Sequence, residues 1–210
     1  MKILTLLGDY YHSHDQLLAF IQSTTKKIDG AEVNDTSIEN LKEHLEEQPD
    51  VLIISKENRR EPEEEDQQKW LTDELDQSIA TYVEKGGNLF VLHSGLSSYP
   101  ENSRYQNLIK GKFLHHPEHH TMISFDGYAP DFGTLSFRYS DEHYFVEVKE
   151  KETEIFLKSS SSEGESIAGW RHQAGEGRII CLTPTHSEEG YVNGDLQKLF
   201  LQALEWVTSK

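Results

Sequence analysis

Three short stretches, residues 3–7, 51–54 and 89–92, are apolar at nearly every position. A strand with one wet face alternates apolar and polar side chains. A run without alternation is covered on both sides, as in the middle of a parallel sheet. Helical stripes separate these runs. Ser13 and Gln16 form a capping-box pattern ahead of Leu17, Leu18 and Ile21; Thr36 and Glu39 form another ahead of Leu41 and Leu45, with Ile38 on the same stripe. Leu71, Leu75, Ile79 and Val83 recur every four residues, predicting a helix over 70–84 that Gly86-Gly87 stops. With a weaker strand at 31–34, three strand–helix units lead into the run at 89–92. That alternation predicts a three-layer α/β/α sandwich whose central sheet is mostly parallel.

The remainder changes character. A short helix carries Tyr105, Leu108 and Ile109 and is closed by Gly111. Residues 121–127, 135–139, 144–148 and 155–158 read as strands, and 159–164, with four serines, as a turn. Residues 166–172 and 178–182 flank Ala174-Gly175-Glu176-Gly177 as a hairpin. These strands predict an antiparallel extension of the sheet. Leu196, Leu199, Phe200, Ala203, Leu204 and Val207 mark one face of a final helix. Residues 57–66 are almost all charged and read as a solvated loop. No internal repeat or linker divides the chain, so one domain over 1–210 is expected.

Composition removes several function classes. Twenty Lys and Arg against 37 Asp and Glu give a net charge of −17, which disfavours phosphate backbones and anionic membrane surfaces. A single cysteine, Cys181, excludes an intrachain disulfide and a cysteine-based zinc site. The first residues lack a signal peptide's long apolar region, and no run is long enough for a transmembrane helix. The expectation is a soluble cytoplasmic protein without nucleic-acid or membrane partners.

Eleven histidines are many for 210 residues, and they cluster. Ligands in an open parallel sheet bind beyond the carboxyl ends of the strands. The first strand exits into Asp9, Tyr10, His12 and His14; the fourth into His93, Ser94 and Gly95; the hairpin into Thr183, Thr185 and His186. An isolated loop histidine is usually solvated surface, but three at strand exits suggest a site. Leu92-His93-Ser94-Gly95 has the form of a strand–elbow turn, yet lacks the glycine two residues before a hydrolase serine; Ser94 is either a weak nucleophile candidate or part of a tight turn. His115-His116-Pro117-Glu118-His119-His120 concentrates imidazoles that suit zinc, or else forms a pH-sensitive polar loop. Asp141-Glu142-His143-Tyr144 offers acid–base groups or a surface pair, and Trp170 a sugar-stacking face or a core residue. Cys181, within an apolar run, reads as buried.

Several of these residues occur together in a recognisable order. Gly87-Asn88-Leu89-Phe90-Val91-Leu92-His93-Ser94-Gly95, Gly111-Lys112-Phe113-Leu114-His115-His116-Pro117, Asp141-Glu142-His143-Tyr144, Gly169-Trp170-Arg171-His172 and Thr185-His186 resemble the ThuA-like (trehalose utilisation) family, over nearly the whole chain. The resemblance implies the flavodoxin-like fold of class I glutamine amidotransferases. Those relatives carry a catalytic cysteine at the fourth-strand elbow, where this chain has His93, so glutaminase chemistry is not expected. The family's late histidine usually follows glycine; here Thr185 precedes His186.

Two readings follow. In the first, the chain is an enzyme, a hydrolase or isomerase of a carbohydrate derivative. His93, Glu142 and His186 are its catalytic groups, Asp9, His12, Ser94 and Trp170 contact the sugar, and a divalent metal such as zinc sits on His93 and His116. In the second, a degenerate amidotransferase scaffold binds a sugar or metabolite without turnover. A serine esterase using Ser94 is a weaker third. Homo-oligomerisation is left open.

Overall fold

The computed structural model describes residues 1–64 and 68–209. Nine strands form one sheet. Five are parallel: β1 (Lys2–Leu7), β2 (Glu32–Asp35), β3 (Val51–Ser55), β4 (Asn88–Leu92) and β11 (Gly177–Leu182), in the order β2-β1-β3-β4-β11. β3 and the last four residues of β4 are buried throughout, as their unbroken apolar runs require. The sheet continues antiparallel through β10 (Gly164–Ala174), β9 (Glu154–Ser161), β6 (Thr121–Ala129) and β7 (Gly133–Asp141).

Helices cover both faces. On one face α1 (His14–Thr25) and α6 (Gly194–Thr208) bury Leu17, Phe20, Ile21, Leu199, Phe200 and Leu204 against the sheet. On the other, α2 (Leu41–Glu46), α3 (Asp73–Glu84) and α4 (Arg104–Ile109) enclose Leu45, Ile79, Tyr82, Val83, Tyr105 and Ile109. Ser13 caps α1 by accepting from the N–H of Gln16, and Asn193 caps α6 through Asp195 and Leu196.

Several local expectations need correction. α2 starts at Leu41 after Asn40, and the Thr36 hydroxyl bonds to Ser37 rather than capping a helix. α3 starts after its cap Thr72; Trp70 lies before it, fully buried, donating its indole N–H to the Glu57 carbonyl. Glu57 and Asn58 are buried too, so the start of the 57–66 segment is structural, while residues 65 and 66 lie outside the described residues. Ser159 to Ser161 complete β9, and the turn is confined to Ser162 and Glu163. Lys110, in the left-handed region at φ 53°, closes α4; Gly111 opens β5 (Gly111–His115) instead. β5 pairs with β8 (Phe145–Val148) in a separate small sheet, a pairing the sequence reading missed.

The sheet also curls, which no local sequence pattern signals. β7 is the outermost strand, yet it packs against α6 and against α5 (Glu188–Val192). Phe125, Phe137 and Tyr139 of β6 and β7 join the same core as α6. The antiparallel half therefore folds back over one helical face, which returns the end of β7 to the carboxyl edge of the parallel half.

One interior group makes stability pH-dependent. His172 donates from Nε2 to the Leu108 carbonyl at 2.8 Å, and its Nδ1 is buried without a hydrogen-bond partner among the described residues. Burial, helped by the nearby Lys110 cation, pushes its pKa from 6.5 down to about 4. Between those values the unfolded imidazole is protonated and the folded one is not, so the unfolded state binds more protons. Stability is therefore full above pH 6.5 and falls as pH drops towards 4. His172→Gln, which keeps a donor but cannot titrate, is expected to flatten that part of the melting-temperature profile. Identical wild-type and variant profiles would contradict this.

Candidate functional site

β1 ends at Gly8, whose φ of +74° turns the chain sharply; a Cβ there would lie 2.6 Å from that of His14. The turn presents Asp9 and His12. The His12 Nδ1 lies 2.6 Å from Asp9 Oδ1. A carboxylate can only accept, so Nδ1 carries the proton, and in the neutral ring Nε2 is left with the lone pair. Asp9 also accepts from the backbone N–H of Tyr11, His12 and Glu57. Burial opposes its ionisation, but the His12 contact and these donors outweigh burial and hold the carboxyl well below the usual range.

β4 ends at His93, a fully buried residue in the left-handed region at φ 45°. Non-glycine residues avoid that region at a cost of about 1–3 kcal/mol, and such strain gathers at functional turns. The single helical turn at His93–Leu96 is pressed on β3: a Cβ on Gly95 would lie 2.5 Å from the Ile54 carbonyl oxygen. His93 Nδ1 donates to the Thr183 carbonyl at 2.6 Å. A carbonyl accepts only, so Nδ1 carries the proton, and in the neutral ring Nε2 again holds the lone pair. The ring stacks on Tyr144 with centroids 3.9 Å apart, and Phe113 backs Tyr144 from the small sheet.

The third histidine follows β11. Asp141, at the end of β7, accepts from the Thr185 hydroxyl and from the backbone N–H of His186 and Ser187. This clasp ties the returning β7 to the loop after β11 and sets Glu142 beside His186. Glu142 Oε2 lies 3.5 Å from both His93 Nε2 and His186 Nδ1. Burial would raise the Glu142 pKa, but the His93, His186 and His116 imidazoles bring it down to about 2. Burial, together with His93 and His12, pushes His186 down to about 4 against the pull of Glu142. At neutral pH the Glu142 carboxylate is ionised and the His186 imidazole is neutral, with a lone pair on one ring nitrogen.

His12, His93, His186 and Glu142 thus converge, with one ligand atom from each within 4.8 Å of the others. His12 Nε2, His93 Nε2 and His186 Nδ1 are all buried without a hydrogen-bond partner among the described residues. The 3.5 Å separations to Glu142 are too long for good hydrogen bonds. They match the roughly 3.4 Å between two donors on one tetrahedral zinc ion. Three imidazoles and a carboxylate are a donor set that zinc and similar ions take. Asp9 behind His12 and the Thr183 carbonyl behind His93 supply the outer contacts that orient such ligands. The residues present fit a divalent ion.

The sequence-derived candidates separate accordingly. His93, Glu142, His186 and His12 come together, and Asp9 orients His12. His116 stands further out: its Nε2 is 4.0 Å from Glu142 Oε1, its Nδ1 bonds the Pro117 carbonyl, and it is outside the four-donor group. The group whose donor atoms converge on His93 is His12, His186 and Glu142, with His116 outside it. Ser94 is fully buried, its hydroxyl 3.4 Å from that of Ser55 and bonded towards Asp9, so it faces neither solvent nor an imidazole base. Trp170 is fully buried, donates to the Ile109 carbonyl at 2.7 Å and covers Gly111; it belongs to the core and cannot stack on a sugar. Trp170→Phe is expected to cost about 1–3 kcal/mol of stability in denaturant melts. Lost ligand binding with unchanged stability would contradict that assignment. Asp141, which the Asp141-Glu142-His143-Tyr144 stretch offers, positions His186 through its backbone N–H; the Thr183 backbone carbonyl that positions His93 is a group nothing in the sequence signals.

The 2-1-3-4-5 order of parallel strands, an elbow after the fourth, and chemistry at the carboxyl edge define a flavodoxin-like α/β fold compatible with the glutamine amidotransferase-like class. The sequence matches the ThuA family, described as trehalose utilisation, over residues 2–207, and the chain belongs to that family. A ThuA-like protein from Bacteroides uniformis is similar at TM-score 0.75 and 18% identity, covering 100% of this chain and 92% of that one. One from Parabacteroides merdae reaches TM-score 0.79 at 12% identity, covering 100% and 90%. Agd3, a carbohydrate deacetylase, matches at TM-score 0.66 and 10% identity over 99% of this chain but 32% of its own. Comparison with curated proteins gives no match.

Proposed function

We propose that this protein is a metal-assisted enzyme acting on a carbohydrate derivative by hydrolysis or isomerisation, with zinc or a similar divalent ion held by His12, His93, His186 and Glu142. One observation carries the reading. Two buried histidines have their Nδ1 protons already committed, and both turn a partnerless Nε2 towards Glu142 and His186. An unsatisfied buried polar atom costs about 1–3 kcal/mol, and three in one place point to an occupant. A bound divalent ion supplies Lewis acidity towards a hydroxyl or carbonyl oxygen of the substrate. Glu142, ionised at neutral pH, can hold that ion or accept a proton from the substrate. His116, partly exposed beside its other oxygen, is placed to relay that proton to solvent. The carbohydrate substrate class is supported by the family's description and by a carbohydrate deacetylase with this fold in part of its chain.

The test is turnover of neutral sugars before and after chelation. Chelated protein is expected to lose activity, and stoichiometric zinc to restore it; activity indifferent to the chelator would contradict the reading. A second reading, sugar binding without turnover, is favoured by the fold match covering only about a third of the deacetylase chain. Among the described residues no helix is long and apolar enough to cross a membrane. We place the protein in the cytoplasm, where the buried thiol of Cys181 stays reduced.

A further inference from the structure

We propose that the open cleft at the carboxyl ends of β1, β2 and β3 is the sugar subsite of this protein, built for an uncharged polyhydroxylated ring and closed to phosphorylated ones. The proposal rests on the reading of the neighbouring histidine centre as the reactive one, and says where the rest of the substrate lies. The cleft has a volume of about 850 Å³ and runs from the Asp9–His14 loop across Asp35, Glu39, Lys56 and Arg60. Ligand pockets span about 300–1,000 Å³, so it has room for more than a single small group. His12 is shared: it lines the cleft and contributes the partnerless Nε2 to the centre.

The lining suits hydroxyl groups. Carboxylates accept from them, while a guanidinium and an ammonium donate to them. Asp35 accepts from the Thr5 hydroxyl and lies 2.9 Å from His14 Nε2, which fixes it in place. Tyr10 and Tyr11, packed edge to face at 5.0 Å, are each about half exposed at the rim. Half-exposed aromatic faces beside fixed polar groups are what a sugar ring, apolar on its faces and polar at its edge, requires.

The same loop rejects anions. In open α/β sheets the turn after the first strand commonly seats a phosphate on backbone N–H groups. Here that seat is filled from within, because the Asp9 carboxylate takes the N–H groups of Tyr11, His12 and Glu57. The first turn of α1 is also spent: Ser13 takes the Gln16 N–H, and Asp15 adds negative charge. In the cleft Asp9, Asp35, Glu39 and Glu61 face Lys56 and Arg60, and the Lys56 ammonium is turned onto the Gly8 carbonyl. Four carboxylates thus outnumber the two permanent cations of the lining.

The test is calorimetric titration of the full chain with trehalose and with trehalose 6-phosphate, beside a zinc titration of the same samples. Trehalose is expected to bind, and the phosphorylated sugar at least about tenfold more weakly, the penalty of bringing like charges together. Tyr11→Ala and Arg60→Gln are expected to weaken trehalose at least about fivefold while zinc binding is unchanged, since neither touches the four donors. Equal or tighter binding of the phosphorylated sugar, no binding of trehalose, or variants that bind it like wild type would overturn the proposal. If trehalose binding depends on Tyr11 and Arg60 in a protein that takes up no zinc, the metal reading fails and the subsite stands. If zinc binds and trehalose does not, the subsite alone fails.

Discussion

His93→Ala is expected to lower zinc affinity at least about 100-fold and to abolish turnover. Losing an outer-sphere contact alone typically costs 10–100-fold, and this substitution removes a donor itself. His93 is also the hub of the centre: its Nε2 faces Glu142, its ring stacks on Tyr144, and its Nδ1 is anchored on the Thr183 carbonyl. The zinc-free melting temperature of the variant is expected to fall, because a fully buried ring stacked on Tyr144 is lost, so zinc binding is read on the folded variant below that temperature. The diagnostic is the rise in melting temperature on adding zinc, which follows the ligand concentration relative to Kd. Wild type should show a rise and the variant almost none at the same zinc concentration. A variant as strongly stabilised by zinc as wild type would remove His93 from the site.

Asp141→Ala is expected to be the most destabilising single change near the site, at about 3–5 kcal/mol. The carboxylate is almost fully buried and serves three donors, the Thr185 hydroxyl and the N–H groups of His186 and Ser187. Removing it leaves them without their acceptor in the interior. For a chain of this length that corresponds to a loss of roughly 10 °C in Tm. Asp141→Asn, which keeps one oxygen, should lose about half as much. Zinc affinity should fall in both, because the clasp holds His186 beside Glu142. A Tm within about 2 °C of wild type for Asp141→Ala would show that the returning strand is held by something else.

The parallel half of the fold was legible because its signal is local. A buried strand writes an unbroken apolar run, and an amphipathic helix writes a stripe; β1, β3, β4, α1 and α6 follow from those patterns. The small sheet of β5 and β8 was not legible, since residues 111–115 mix lysine, aromatic and histidine without a period. Trp170 and Trp70 illustrate a different loss. Composition says that tryptophans are mostly buried, but only the packing of Gly111 against one and the Glu57 carbonyl on the other shows where.

For the site, strand exits named His12, His93 and His186, and the Asp141-Glu142-His143-Tyr144 stretch, which the family resemblance also picks out, offered Glu142. What the sequence withheld was their grouping. His116 looked like the partner of His93 because both carry motif signatures. Beside His93 the structure sets His12, steered by Asp9, and His186, which follows β11 and is clasped by Asp141 at the end of β7, the edge strand that curls back. Convergence of that kind depends on contacts about 45 residues apart in sequence, such as Asp141 to His186, and no local pattern records them.

If three imidazoles and one carboxylate hold a divalent ion, X-ray absorption on zinc-loaded protein should show nitrogen and oxygen neighbours at about 2.0–2.2 Å with the outer-shell scattering of imidazole rings, in about one zinc per chain, lost together in His93→Ala. An ion surrounded by oxygen alone, or a signal unchanged by His93→Ala, would contradict it.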